Sequence, residues 1–184
     1  KRRTPPGGSH PKRELLLEAG AIDNTWHENW HNSRFSYRGG LLQEEAKMLV
    51  RGRYRPFFGA EEPLDLTSPS LSMQHWSAYS NELDNTDIKL TWEPARFTWS
   101  LALARAYAIS PDDTFPEIFW EKVEEFNASN PVNVGPNWSS AQEVALRAVN
   151  WILTSSAFQH SPSSTRTRQE NLSRSIAQHI ERVL

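Results

Sequence analysis

Four helical runs separated by only a few breaker residues fill the chain from residue 94 onward, and they constrain the fold more than any other feature. The first begins at Pro94, a residue that a first helical turn tolerates, and extends to Ile109. It places Trp99, Leu103 and Tyr107 at i, i+4 and i+8, with Phe97, Leu101 and Ala104 on an adjoining face. A helix apolar on two sides must be deeply packed. In the second, Thr114 and Glu117 have the spacing of a capping box and Pro116 sits inside the first turn. Phe115, Phe119, Val123 and Phe126 follow before Asn130-Pro131 ends the run. The third opens at Ser139 with Gln142, or at Ser140 with Glu143, and passes through Val144, Leu146, Val149 and Trp151 to about Phe158. After a Ser161-Pro162-Ser163-Ser164 break, Gln169 to Leu184 makes the last. Long helices joined by short connections fold back on one another, so the sequence predicts an all-α fold of antiparallel helical hairpins.

The front of the chain has a different character. Residues 1–13 carry Lys1, Arg2, Arg3, Lys12 and Arg13 around Pro5-Pro6-Gly7-Gly8 and read as a flexible basic tail. Residues 14–90 read as an N-terminal helix within an irregular wrap. Leu41 to Val50 is amphipathic and stops at Gly52. Beyond it Pro56, Gly59, Pro63 and Pro69 interrupt any period, with room for one short edge strand over residues 53–58. Residues 91–184 are the hairpin region.

The 8 Trp, 8 Phe and 4 Tyr supply much of the apolar area, and they suit either a packed helical core or a surface on which sugar rings stack. Without the five basic residues of the tail, 15 Lys and Arg face 22 Asp and Glu, so the body is about −7 and a poor nucleic-acid binder. With no cysteine there is no disulfide framework, thiol nucleophile or cysteine-bound zinc. No run approaches the length of apolar sequence that spans a bilayer. Phosphate-loop, dinucleotide and serine-hydrolase motifs are absent. His27 and His31 stand at i, i+4 but lack a predictable third ligand, so no metal and no cofactor is expected.

Two blocks are more specific. One comprises Asp87, Ile88, Lys89, Leu90, Thr91, Trp92, Glu93, Pro94, Ala95, Arg96, Phe97, Thr98 and Trp99, followed by Leu101, Ala104, Ala106 and Tyr107. The other comprises Asn130-Pro131, Gly135, Asn137-Trp138, Gln142-Glu143-Val144-Ala145, Arg147, Asn150 and Trp151. Together they resemble the blocks of the helical region in heparinase II/III-type polysaccharide lyases, a likeness covering roughly residues 41–184. The resemblance implies part of an (α/α) toroid, completed in the family by further helices and a C-terminal β-sandwich. It implies β-elimination at a uronic acid, as in alginate, heparan-type and other glycosaminoglycan chains, and hence an acidic polysaccharide partner in a periplasmic or secreted setting. The family's Asn, His and Tyr of proton transfer are expected beyond residue 184, so no catalytic residue is carried onto this chain.

The resemblance carries over the wall of the substrate cleft: Glu93, Arg96, Asn137, Trp138, Gln142, Glu143 and Arg147. Arg96 and Arg147 have the donor geometry for a carboxylate, Asn137 and Gln142 can bond hydroxyls, and Trp138 can stack on a pyranose. Structural roles compete with these. Glu143, Arg147 and Asn150 at i, i+4 and i+7 could be an intrahelical ion pair with a polar neighbour or a buried pair that shapes the cleft. Glu93 is also a first-turn acid and Asn137 a helix-entry residue. A non-catalytic carbohydrate-binding or scaffolding helical domain is therefore the alternative function.

Overall fold

A computed structural model describes residues 36–67, 74–78 and 87–184, and residues 36–184 form one unit. The basic tail, His27, His31, Trp26 and Trp30 lie outside the described residues. The described part is helical almost throughout, an all-α fold with one two-stranded ribbon.

Helix α1, Ser36–Val50, begins five residues before the expected Leu41. It buries Leu42, Ala46, Met48 and Leu49 along one side. It ends where Gly52 turns to φ +72, a left-handed conformation that only glycine adopts without steric cost. There the Gly52 amide donates to Leu49 and its carbonyl accepts from Leu64, both at 2.8 Å. The strand expected over 53–58 is shorter, because Pro56 opens a 3-10 turn, Pro56–Phe58. Only β1, Arg53–Tyr54, pairs antiparallel with β2, Glu62–Pro63.

The first hairpin helix differs most from expectation. Instead of starting at Pro94, helix α2 covers Ile88–Ala95, with Asp87 capping it through a 3.0 Å bond from the Lys89 amide. Pro94 lies in its last turn, where it leaves the Leu90 carbonyl without an i+4 donor. The chain then breaks at Phe97, φ +59, and resumes as α3, Ser100–Ile109. The expected single helix is thus two, joined at a buried corner.

Helices α4 (Thr114–Ser129), α5 (Ala141–Ala157) and α6 (Arg166–Val183) follow. Their caps refine the expected ones. Thr114 does not cap α4; Asp112 accepts from the Thr114 amide and hydroxyl at 2.9 and 2.7 Å, which leaves Glu117 free for Arg168. Ser140, rather than Ser139, caps α5 by accepting from the Glu143 amide. Thr165 caps α6, which starts three residues before the expected Gln169.

Helix α3 packs against α1, α4 and α5, and α6 against α5. The core between them is aromatic. The Phe97 ring stands edge-on to Phe126 at 6.0 Å and to Trp151 at 5.3 Å, and Tyr107 meets Phe158 at 5.3 Å. Offset edge contacts of this kind add roughly 0.5–1.5 kcal/mol per pair to area burial. Leu64 and Leu66 from the wrap enter the same core. Arg168 ties α6 to α4 through two bonds to Glu117, at 2.7 and 2.9 Å, and two to Glu124, at 2.9 and 3.4 Å.

Two glycines test this backbone reading in opposite directions. A Cβ at Gly40 or at Gly52 would meet nothing within 4 Å, so only conformation separates them. Gly40→Ala, inside α1, is expected to raise stability by about 0.5–1 kcal/mol. Gly52→Ala is expected to lower it by about 1 kcal/mol, since alanine resists positive φ. Urea unfolding of the two variants checks both signs.

Candidate functional site

The break at residues 96–99 leaves the last carbonyls of α2 inside the protein, where each must find a donor or cost about 1–3 kcal/mol. The Pro94 carbonyl accepts from the Trp99 indole at 2.9 Å and from the Phe97 amide at 3.2 Å. The Ala95 carbonyl takes the Arg147 guanidinium at 3.4 Å, and the Arg96 carbonyl takes the Asn150 amide group at 2.8 Å. The Phe97 carbonyl accepts from the Ser100 hydroxyl at 2.7 Å, which also meets Thr154 at 2.7 Å. Helix α5 therefore closes the end of α2 with its own polar stripe.

Six of the seven residues carried over from the family blocks lie in this network. Arg96 makes a two-pronged pair with Glu143, Nε to Oε2 at 2.5 Å and Nη2 to Oε1 at 2.8 Å, and a further bond to Glu93 at 2.6 Å. These bonds raise the Arg96 pKa further above its usual range, chiefly through Glu143. Glu143 thus pairs across 47 residues with Arg96 and forms no salt bridge with Arg147 four residues on. Arg147 is 1% exposed. Its Nη2 donates to the Asn137 carbonyl at 3.1 Å and its Nε to His179 Nε2 at 2.8 Å. Its guanidinium carbon lies 4.3 Å from the Phe126 ring centre and 5.5 Å from that of Trp138. Burial pushes Arg147 down to about 9, against the favourable charge of Glu143, so it stays cationic at neutral pH.

Asn137 and Trp138 are buried beneath this cluster in a 3-10 turn, Pro136–Trp138. Asn137 donates to Asn130 Oδ1 at 2.8 Å, and the Trp138 indole donates to the Asn130 carbonyl at 3.3 Å. With 1% of its surface exposed and its ring 4.6 Å from that of His179, Trp138 offers no free face to a sugar in this conformation. Gln142 is the exposed member, and Glu93 and Arg96 are partly exposed. Trp76 is covered by Arg182, whose guanidinium stacks 3.6 Å from its ring centre.

Two residues without a site role in the sequence complete the arrangement. Asn130, read as a helix stop and as the start of the second block, links α4 to the wrap by donating to the Leu66 carbonyl at 2.9 Å. His179, on α6, turns Nδ1 toward the Ser175 carbonyl at 2.7 Å. That contact fixes the proton on Nδ1 and leaves Nε2 as the acceptor for Arg147. No local pattern marks either role, since both depend on partners far along the chain.

Chemically, the cluster is an internally paired ion network. Three of the five guanidinium N–H groups of Arg96 are engaged, so two remain. The Glu93–Arg96–Glu143 trio keeps one net negative charge, which suits hydroxyls at its rim and repels a carboxylate. Among the described residues, no group of three or more His, Asp or Glu is placed to hold a metal ion.

The His179 contact sets a pH dependence. Burial, with the adjacent Arg147 charge, pushes His179 from 6.5 down to about 3. Between those values the unfolded chain holds a proton that the native state refuses, so this stability is complete above about pH 6.5 and is lost as pH falls toward 3. The expected slope is about 1.4 kcal/mol per pH unit from this group. It should flatten in His179→Gln, measured by denaturant unfolding across the acid range. Arg147→Ala strips donors from the Ala95 and Asn137 carbonyls and is expected to cost about 3–5 kcal/mol.

Comparison with known proteins found no family model that matches the chain, and no match among curated proteins or solved structures.

Proposed function

We propose that this chain forms the N-terminal helical wall of a polysaccharide lyase of the heparinase II/III type, acting by β-elimination on uronic-acid-containing chains. The observation that carries the reading is the meeting of the two resembling blocks. Arg96 and Ala95, from the first, are held by Glu143, Arg147 and Asn150 from the second. Residues chosen for their likeness to one family thus form one physical unit with an accessible rim at Glu93, Arg96 and Gln142.

β-Elimination needs a group that neutralises the C5 carboxylate, a base for the C5 proton and an acid for the departing O4. The described network supplies none of these. Arg96 is already neutralised by carboxylates, and His179 is buried with both ring nitrogens engaged. The chain's part is therefore to shape the cleft and bond sugar hydroxyls through Gln142 and the two free N–H groups of Arg96. Leu146, Val149 and Leu153 also leave an exposed apolar stripe on α5, the kind of surface that a further helix of an array covers.

A non-catalytic carbohydrate-binding or scaffolding domain is the second reading, and the burial of Arg147 and Trp138 favours it. Ultraviolet absorbance of unsaturated product, followed with alginate, heparan sulfate and hyaluronan, separates the two. Product is expected only from a protein that joins this chain to the family's proton-transfer residues. In that protein Gln142→Ala is expected to raise KM about fivefold, the worth of one hydrogen bond, with kcat little changed. Affinity without product from any such protein favours the scaffold, and no affinity for any of the three polymers sinks both readings.

A further inference from the structure

A cavity of about 290 Å³ lies between the β1–β2 region and the exposed side of α2, with Asn137 among its lining residues. That is room for roughly ten waters, or for one sugar-sized molecule. Its polar groups are short of partners. The Tyr54 hydroxyl and the Thr91 hydroxyl each line it without a hydrogen bond inside the protein. Asp65 spends Oδ1 on the Thr67 amide and hydroxyl, at 2.8 and 2.6 Å, and keeps Oδ2 free. Asn137 Oδ1 is buried without any partner. The Asn137 side chain cannot flip to escape this, because its amide nitrogen already donates to Asn130 Oδ1.

Asp65 is the one charged residue in the lining, and Lys122 lies close enough to act on it through space. No Lys or Arg lines it, and Asp65 is held ionised by its bonds from Thr67. Burial first, then the charges of Glu93 and Glu62, push the Tyr54 hydroxyl up to about 12, so it is a neutral donor at physiological pH. Leu90 and Pro63 add apolar surface of the sort that meets the C–H face of a ring. A lining with one carboxylate, free hydroxyls and an apolar side, and with no Lys or Arg in it, disfavours carboxylates and sulfates. It matches a ligand that brings several O–H donors and no negative charge.

We propose that this cavity is a binding site for a neutral polyhydroxyl compound of monosaccharide size, held by Tyr54, Asp65 and Thr91 and separate from any uronate-binding cleft. The site stands independently of the lyase reading, which concerns the Arg96 rim and an acidic polymer.

Tyr54→Phe tests it cleanly, because the deleted hydroxyl bonds nothing in the protein and the fold should not notice its loss. Methyl α-D-glucopyranoside, methyl α-D-mannopyranoside and methyl α-D-galactopyranoside would be titrated into the full chain, with glucuronate and glucosamine as charged probes. Binding would be read from backbone amide shifts by NMR. At least one neutral glycoside is expected to saturate and to shift amides of residues 64–67, 90–93 and 95. Glucuronate should bind at least about tenfold more weakly. Tyr54→Phe and Thr91→Val are each expected to weaken the neutral glycoside about fivefold at unchanged melting temperature. The proposal is overturned if no neutral glycoside saturates, if glucuronate binds best, or if affinity survives both substitutions; glucosamine, whose ammonium suits Asp65, is expected to bind at least as well as the neutral glycosides. Failure there with continued binding of alginate would leave the lyase reading standing.

Discussion

The buried corner between α2 and α3 is the constraint from which the rest of the packing follows. A helix that stops in the interior exposes carbonyls to a medium without water, and four consecutive ones, from Pro94 to Phe97, are met here by side chains or nearby amides. Two of those donors stand on α5 at positions 147 and 150, one turn apart. That is why a helix lined with Ala, Val, Leu and Trp carries a polar stripe on its inner side. Arg147 also brings a positive charge to the C-terminal end of α2, where the backbone dipole favours a cation. The desolvation of a guanidinium costs several kcal/mol and would not be repaid by one carbonyl. Here two carbonyls, a histidine nitrogen and two aromatic faces share the task.

Charges here alternate, from Glu93 to Arg96 to Glu143 by hydrogen bonds and on to Arg147 through space only, and end on a neutral His179. The alternation binds α2, α5, α6 and the 136–138 turn into one body. It also makes His179 dependent on Arg147: a proton on Nε2 would face a guanidinium 2.8 Å away with no carboxylate of its own. A buried histidine beside a charged residue is an arrangement that proton transfer also uses. Its geometry points instead to a fixed tautomer that serves as an acceptor.

Much of the helical architecture was legible in the residue pattern, and the misses have physical causes. Phe115, Phe119, Val123 and Phe126 repeat at helical spacing and are buried as that spacing demands. Ser140 was one of two possible caps, and only tertiary placement decides between it and Ser139. The corner at Phe97 had no local sign, because a bulky residue at positive φ is held there by burial of its ring and not by preference. Pro94 then misled, since proline suits a first turn as well as a last one. The site residues were recognisable as a group, but their partners were not. Spacing offered Glu143 a neighbour at Arg147, whereas Arg96 on another helix presents two donors in a plane and takes both carboxylate oxygens.

The same geometry limits what an acidic polymer can find on this surface. An arginine that already holds two carboxylates has spent its charge, and a third anion would meet a cluster with a net negative balance. Its remaining N–H groups are still good donors to a hydroxyl, as is the exposed amide of Gln142. Under the lyase reading proposed above, a uronate chain along this rim would be gripped through its hydroxyls here, with its carboxylates turned toward basic groups supplied elsewhere. Such division of labour is compatible with elimination chemistry, in which the group that acidifies the C5 proton must stand at the reacting sugar and nowhere else. Rigidity is what a network with nearly every donor and acceptor engaged provides.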